Sequence, residues 1–355
     1  MKTLVILLLG LVAATGSSFA QNLITLQSGE NATFYTNLDT ALFYAKNGDD
    51  IYLPGGYIKA NSETLKIDKA VNIIGVGYNP YTNSATENTI IQCSIEIMPN
   101  VNGGSISGIN NNHVMRIHNA VSNFSVNRCL ISTIYISDEY ASIQPTNIII
   151  SETIVNTIIG NVNYLYSGPQ NVLISNCILG KWDDNYALYC NRSWVELTCK
   201  NCIIFGVDNG GGTGLIQNIS NSVFENCILV CRDNIRPGGD NNKFKNCVFT
   251  MSNPETFAGN TNLVFNSIFD QAPNSIFIDP QNFIFNMKNN YNLREDSPGK
   301  NAGRDGTDIG IYGGIFPWKD GGLPVNPHFQ QVQVRGTTDA NGNLNVNIKV
   351  EAQER

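Results

Sequence analysis

A short motif recurs at regular intervals through the middle of the chain. Its clearest copies place Asn before Cys and Ile or Val after it: Asn176-Cys177-Ile178, Asn201-Cys202-Ile203, Asn226-Cys227-Ile228 and Asn246-Cys247-Val248. Weaker copies place a small residue at Cys129, Thr153 and Ser267, so successive small residues are 24, 24, 25, 25, 20 and 20 positions apart. Such a period is the signature of a solenoid, in which each repeat forms one coil that stacks on its neighbours.

Two kinds of solenoid, the parallel β-helix and the leucine-rich repeat, have periods of about 20 to 25 residues. The leucine-rich repeat needs Leu at fixed positions, whereas the apolar positions here are mostly Ile, Val and Phe, separated by Asn, Gly, Ser and Thr. Segments 147–151 and 170–174 have the composition of short strands. The sequence therefore predicts an all-β protein, a single-stranded right-handed parallel β-helix.

Stacking of coils gives the recurring Cys and Asn residues structural roles. Equivalent residues of neighbouring coils are expected about 4.8 Å apart. The repeat cysteines are predicted to face the interior, because free Cys is among the most buried residue types. Asn tolerates left-handed backbone angles, so a ladder of side chains at a sharp turn is predicted for Asn176, Asn201, Asn226, Asn246 and Asn266.

The cysteines leave other possibilities open. Their number, nine, is odd, so at least one thiol must stay free or pair between chains. Disulfides among Cys93, Cys190, Cys199 and Cys231 are possible on spacing alone. A zinc site is disfavoured, because Cys199-x-x-Cys202 has no second Cys pair with which to converge.

Residues 1–20 have the features of a secretory signal peptide: Lys2, an apolar run from Leu4 to Ala14, and small residues before a cleavage point after Ala20. We expect a secreted protein, located in the periplasm, at the cell surface or outside the cell. The formal charge of −7 and the absence of a Lys/Arg cluster argue against a nucleic-acid partner. No later segment is long and apolar enough for a membrane span.

The two ends of the chain differ from the repeats. Residues Asn37 to Lys46 have a helical pattern, with Thr36 or Asn37 as cap and Gly48 to end it. Two alternating segments, 330–335 and 344–350, predict a β-hairpin. We therefore expect a signal peptide at 1–20, an N-terminal segment with a cap helix at 21–48, the β-helix at 49–315, and a linker with a hairpin at 316–355.

The boundaries of the repeat region carry a family resemblance. The order of a helix, then Gly48-Asp49-Asp50-Ile51-Tyr52-Leu53-Pro54-Gly55-Gly56, then Val71-Asn72-Ile73-Ile74-Gly75-Val76-Gly77 resembles the opening of pectin-lyase-like right-handed β-helix proteins. The segments 296–303 and 308–313 look like the last coil of that superfamily. The resemblance covers about residues 30 to 315 and implies the fold. It does not imply one activity, since the superfamily includes lyases, hydrolases, epimerases and binding proteins.

A column of carboxylates accompanies the repeat. Asp183, Asp208 and Asp233 each lie six residues after a repeat Cys, so coil stacking predicts that they are neighbours. Carboxylates at this spacing repel one another unless they are paired or bind a metal, and hard oxygen ligands suit Ca²⁺. The alternative is that these Asp residues only initiate turns, which recur because the coil recurs. Trp182, Tyr186 and Arg192 lie nearby and are candidates for binding a sugar chain.

Two functions remain. The first is an exported β-helix that binds a polysaccharide or a cell-surface glycan, or is purely structural, without catalysis. The second resembles a polysaccharide lyase of this fold acting on a uronate-containing glycan. In that case Ca²⁺ would neutralise the uronate carboxylate, and Arg232, Arg236 or Lys181 would remove the proton. A hydrolase of the polygalacturonase type is disfavoured, because its Gly-His-Gly and Arg-Ile-Lys motifs do not occur.

Overall fold

The chain winds into a stack of coils whose strands pair in parallel with the equivalent strands of the next coil. A computed structural model describes residues 23–79, 87–137, 143–160, 168–180, 186–194, 196–206, 215–231, 239–252, 261–279, 283–323, 328–334, 338 and 341–351. The predicted right-handed parallel β-helix is confirmed. The expected signal peptide lies outside the described residues. Among the described residues, no helix is long and apolar enough to span a membrane.

Sheet A has twelve strands and forms one side of the solenoid. Ten strands are parallel, and the first two form an antiparallel hairpin on the first coil. Its strands are β1 (Ile24–Ser28), β2 (Asn31–Tyr35), β3 (Asp50–Tyr52), β6 (Asn72–Ile74), β9 (Ser105–Ser107), β11 (Ser125–Asn127), β13 (Thr146–Ser151), β15 (Gln170–Ser175), β18 (Leu197–Lys200), β21 (Val223–Glu225), β23 (Lys243–Lys245) and β25 (Leu263–Phe265).

Sheet B has thirteen strands and bends into two faces. In its long strands the inward-facing residues alternate, but the alternation shifts by one residue between Ile131 and Ile134 in β12 and between Val155 and Ile158 in β14. The shift marks a corner in each strand. Face B1 contains β4 (Gly56–Ile58), β7 (Thr89–Ile91), β16 (Ile178–Gly180), β19 (Ile203–Phe205), β22 (Ile228–Val230) and β24 (Val248–Phe249). Face B2 contains β5 (Thr64–Ile67), β8 (Ser94–Ile97), β17 (Leu188–Trp194) and β20 (Ile216–Ile219), and both faces share β10 (Asn110–Ile117), β12 (Leu130–Ile136) and β14 (Ile154–Ile159).

The Cys column lies at the turn from sheet A to face B1, as the repeat predicts. Its five cysteines are fully buried: Cys129, Cys177, Cys202, Cys227 and Cys247. Each Sγ donates to the carbonyl two residues earlier. Thr153 and Ser267 donate a hydroxyl in the same way. All nine cysteines of the chain lie in the described residues, and none forms a disulfide.

The residue before each of these positions has a left-handed backbone, as predicted for the Asn column. Its φ angles lie between 46° and 56° from Arg128 to Asn266. The side chains, however, do not form the amide ladder. An amide ladder lies five residues before this column on three coils, where Asn123 donates to Asn102, Asn147 to Asn123 and Asn171 to Asn147.

The N-terminal end of the solenoid is closed by the β1–β2 hairpin and helix α1 (Leu38–Tyr44). The Asn37 side chain accepts a hydrogen bond from the backbone of Thr40, so the predicted cap is confirmed. Leu38, Ala41 and Leu42 insert into the core. The Lys69 ammonium donates to the Leu42 and Phe43 carbonyls, which satisfies the last turn of the helix.

Residues 283–323, which we call the cover segment, do not form a last coil. They contain no strand and run along the outside of face B1, after the short helix α2 (Pro273–Ile276). The Asn column binds this segment: Asn176 donates to the Ile311 and Gly313 carbonyls, and Asn226 accepts from the Arg304 backbone. The turn at Asp320–Gly322, expected in a linker, also packs on the solenoid. The boundary between the β-helix and the linker, placed after residue 315 from the sequence, stays a prediction.

The cover segment buries a second apolar cluster outside the solenoid. Ile178, Ile203 and Ile228 project outward from face B1 and contact Ile309 and Ile311, among others. Gly310 passes so close that a Cβ there would lie 2.8 Å from the Cδ1 of Ile228. From β14 to β24, face B1 is therefore buried on both sides, which explains the continuous apolar strands there.

The cover segment is also joined to sheet A. Arg304 and Lys200 both form salt bridges with Glu225, at 3.0 and 3.2 Å. Burial acts to raise the pKa of Glu225, but the hydrogen bonds from Arg304 and Lys200 outweigh it and lower that pKa below its ordinary value. The carboxylate therefore stays charged and holds both cations.

The predicted C-terminal hairpin is confirmed. Strand β26 (His328–Val334) pairs antiparallel with β27 (Val346–Glu351). Val346, Ile348 and Val350 alternate along β27 and are each about half exposed.

Candidate functional site

Seven of the nine predicted site residues lie outside the described residues: Lys181, Trp182, Asp183, Asp208, Arg232, Asp233 and Arg236. Arg192 belongs to β17, but only its backbone is described. Tyr186 is described, and its surroundings identify a groove.

The groove lies on the outer surface of face B2 and has a volume of about 400 Å³. It crosses four successive strands, β12, β14, β17 and β20. The lining residues are Thr133, Tyr135, Thr157, Ile159, Tyr186, Tyr189 and Gln217. We call this surface the tyrosine groove.

Strand register explains how these side chains come together. Tyr135 pairs with Ile159, Ile159 with Tyr189, and Tyr189 with Gln217, so the four residues form one row across the sheet. Side chains at equivalent positions of a parallel sheet project from the same face. The row therefore alternates aromatic, aliphatic, aromatic and amide groups along the solenoid axis.

The tyrosines are held in defined orientations. Tyr186 and Tyr189 stack with ring centroids 5.6 Å apart and an interplanar angle of 19°. The Arg116 guanidinium lies 4.6 Å from the centroid of the Tyr135 ring, which is a cation–π contact. The groove thus offers two aromatic positions, at Tyr135 and at the Tyr186–Tyr189 pair.

A charged row continues from the tyrosine groove towards the N-terminal end. Arg116 is in register with Tyr135 on one side and with Glu96 on the other, and Glu96 is in register with Lys66. Glu96 also contacts His118, with 3.5 Å between the carboxylate and Nε2. The surface beside the aromatic rings therefore carries both signs of charge.

The predicted aspartates follow directly from strands that border these faces. Asp183 lies in the segment between Gly180, which ends β16, and Tyr186, which lines the groove. Asp208 lies between the end of β19 and the start of β20. In the sequence, each segment stands between a strand of face B1 and a strand of face B2, and β16 and β19 are neighbours in the sheet, as are β17 and β20.

A different group of side chains has the composition of a metal site. Cys199, Cys202 and Cys227 bring their Sγ atoms within 4.8 Å of one another in the core. No second Cys pair converges with Cys199-x-x-Cys202 in this cluster; the third thiol is the single Cys227 of the next coil. Burial raises the pKa of Cys199 and of Cys202 well above its ordinary value. The Cys202 and Cys227 thiols each donate a hydrogen bond to a backbone carbonyl, that of Lys200 and that of Glu225, and a thiol that donates carries its proton. Metals bind the thiolate, so we assign the cluster to packing.

Sequence reasoning identified Tyr186 but not Tyr135, Tyr189 or Gln217. The pattern Ile134-Tyr135-Ile136, with both Ile residues buried, does signal an outward tyrosine. The strand register that aligns Tyr135 with Tyr189 through Ile159 could not be read from the sequence. The reason is that segments of different length separate the strands of face B2.

Comparison with known proteins finds a likeness to a solved structure. No protein-family model matches the chain, and no curated protein matches it. The tailspike protein gp49 from Acinetobacter baumannii bacteriophage Fri1, a capsular polysaccharide depolymerase, superposes with a TM-score of 0.40 at 11% sequence identity. The match covers 65% of this chain and 52% of the tailspike chain, so it spans about half the length of that protein.

Proposed function

We propose that this chain is an exported carbohydrate-binding β-helix that holds a polysaccharide in the tyrosine groove. The observation that carries the proposal is the row of Tyr135, Tyr189 and Gln217 across three strands of one outer face, with Tyr186 stacked on Tyr189. The signal-peptide features support export, and the motifs at 48–56 and 71–77 support membership of the pectin-lyase-like superfamily.

The chemistry of the groove fits a sugar chain. Tyrosine rings offer apolar faces to the C–H surfaces of pyranose rings, while their hydroxyls remain available for hydrogen bonds. Thr133, Thr157 and Gln217 supply further donors and acceptors for sugar hydroxyls. Tyr135 and Tyr189 lie two strands apart, a distance of about 10 Å, so they would contact different sugar units of one polysaccharide chain.

Removal of one stacking ring tests the proposal. Tyr189→Ala should weaken binding to the recognised polysaccharide by about tenfold, since an aromatic stacking contact contributes about 1 kcal/mol or more. Tyr57→Ala is the matched control, because Tyr57 is 65% exposed on β4 and lies outside the groove. Binding is measured by affinity electrophoresis in gels containing polygalacturonate, alginate or a glycosaminoglycan. Equal retardation of wild type and Tyr189→Ala in every gel would reject the groove as the binding site.

A calcium-dependent polysaccharide lyase is the alternative. It is favoured by one observation: Tyr186 of the groove directly follows the segment that contains Lys181, Trp182 and Asp183. A chain bound in the groove would then approach the predicted Ca²⁺ ligands Asp183, Asp208 and Asp233. Uronate binding to Ca²⁺ would acidify the adjacent C–H, and Arg232, Arg236 or Lys181 would accept the proton.

The alternative predicts a metal dependence and a product. Calorimetric titration of the metal-free mature protein with Ca²⁺ should show binding that Asp208→Asn abolishes and Asp296→Asn, at an exposed position, preserves. Arg232→Ala should abolish release of unsaturated uronate from polygalacturonate, alginate and glycosaminoglycans without changing the circular dichroism spectrum. If the wild-type protein releases no unsaturated product from any of them, the lyase function is rejected.

A further inference from the structure

A second cleft lies on a different side of the molecule, between the cover segment and face B1. It has a volume of about 290 Å³, near the lower end of the range for ligand pockets of about 300 to 1,000 Å³. Ile154, Ile178 and Ile311 form its apolar floor. It shares no lining residue with the tyrosine groove.

One carboxylate fixes the aromatic wall of this cleft. A single oxygen of Asp320, Oδ1, accepts hydrogen bonds from the Tyr312 hydroxyl at 2.9 Å and from the Trp318 indole at 3.1 Å. Tyr78 completes the wall, with its ring centroid 6.5 Å from that of Trp318. The other carboxylate oxygen of Asp320 accepts no hydrogen bond from the described residues, so it is available to a ligand.

The tyrosines of the wall are uncharged. Burial, followed by the nearby Asp320 carboxylate, raises the pKa of Tyr78 and of Tyr312 above the ordinary value. Both rings therefore present neutral faces, and the wall carries the single negative charge of Asp320.

Amide groups also line the cleft. The Asn290 side chain accepts hydrogen bonds from the backbone and the side chain of Asn292, at 3.0 and 2.8 Å, which holds this loop in place. Asn289 and Lys288 also line the cleft. Rigid aromatic faces, a free carboxylate oxygen and several amides together suit a ligand with many hydroxyl groups and one apolar face.

We propose that this cleft is a second, independent carbohydrate site that takes a single pyranose unit, such as the end or a branch of a glycan. The unit packs on the Tyr312 ring, beside the largely buried Trp318 indole, and its hydroxyls bind the free oxygen of Asp320 and the amide groups of the cleft. An organic cation would use the aromatic wall and Asp320 but would leave Asn290 and Asn292 without a role and would face Lys288. With the tyrosine groove, the cleft makes the chain bivalent for carbohydrate.

Fluorine NMR can observe this site separately from the groove. The chain has three tryptophans, and Trp318→Phe assigns the Trp318 resonance in protein labelled with 5-fluorotryptophan. The probes are the methyl pyranosides of glucose, galactose, N-acetylglucosamine and glucuronic acid. Titration in the Tyr189→Ala background should produce a saturable shift of the Trp318 resonance for at least one of them, because that variant impairs only the groove.

Variants of the cleft give the matched comparison. Tyr312→Ala and Asp320→Ala should each raise the dissociation constant obtained from the titration by about tenfold or more, as expected when an anchoring group is lost. Tyr57→Ala, away from both sites, should leave it unchanged. A Trp318 resonance that stays fixed with all four glycosides, or that shifts equally in Tyr312→Ala and Asp320→Ala, overturns the proposal. Neither of these two NMR results tests the tyrosine groove. Retardation of the protein in polysaccharide-containing gels tests the groove separately.

Discussion

Replacement of Ile203 by alanine should lower the free energy of unfolding by about 3 kcal/mol, whereas the same replacement at Ile149 should change it by less than about 0.5 kcal/mol. Both residues project outward from a parallel sheet, Ile203 from face B1 and Ile149 from sheet A. Ile203 is fully buried beneath the cover segment, but Ile149 is 42% exposed. Only the first substitution therefore leaves a cavity.

The two variants can be compared by urea denaturation followed by circular dichroism. A lower midpoint with an unchanged slope reports lost stability and not a change in the unfolded state. Limited proteolysis would then show whether the cover segment becomes cleavable in Ile203→Ala before the coils do. Equal midpoints for the two variants would mean that the cover segment does not pack on face B1 in solution.

The repeat predicted the core of the solenoid well. The spacing of Cys177, Cys202, Cys227 and Cys247 is set by the coil length, so a single column of buried small residues follows from the sequence. The left-handed turn before each Cys also follows, because Asn recurs at a position where few residues adopt that conformation. Both features depend on local preference and stacking, which one sequence contains.

The partners of the Asn column did not follow from the sequence. The amides of Asn176 and Asn246 bind carbonyls of the cover segment, which is far away in the chain. A sequence signal for that contact does exist. Ile203-Ile204-Phe205 is apolar at every position, which indicates a strand buried on both faces and hence something packed outside the solenoid. The signal does not say which segment provides the cover.

The candidate site was predicted only in part for a related reason. Tyr186 was selected because it is aromatic and follows two aspartates. The groove, however, depends on Tyr135 and Tyr189, whose pairing through Ile159 is set by three-dimensional register. Loops of unequal length interrupt the period on face B2, so alignment of the coils on the Cys column does not place these tyrosines together.

Substitution of Glu152 by glutamine should destabilise the protein by about 3 to 5 kcal/mol, the range for breaking a buried ion pair from one side. The Glu152 carboxylate receives two hydrogen bonds from the Arg128 guanidinium, at 2.9 and 3.2 Å. Only 10% and 11% of these two side chains are exposed. Glutamine has nearly the same shape, so the loss comes from leaving the Arg128 charge buried without its counter-charge.

This ion pair also anchors the end of the cover segment, because the Arg128 guanidinium donates to the Leu323 carbonyl at 2.8 Å. Asp296→Asn is the matched control, since the Arg294–Asp296 pair is exposed and its loss should cost at most about 1 kcal/mol. Urea midpoints give the two values. Hydrogen exchange should in addition show faster exchange at Gly322 in Glu152→Gln than in the wild type. A Glu152→Gln midpoint no lower than that of Asp296→Asn would show that the buried pair does not hold the cover segment to the solenoid.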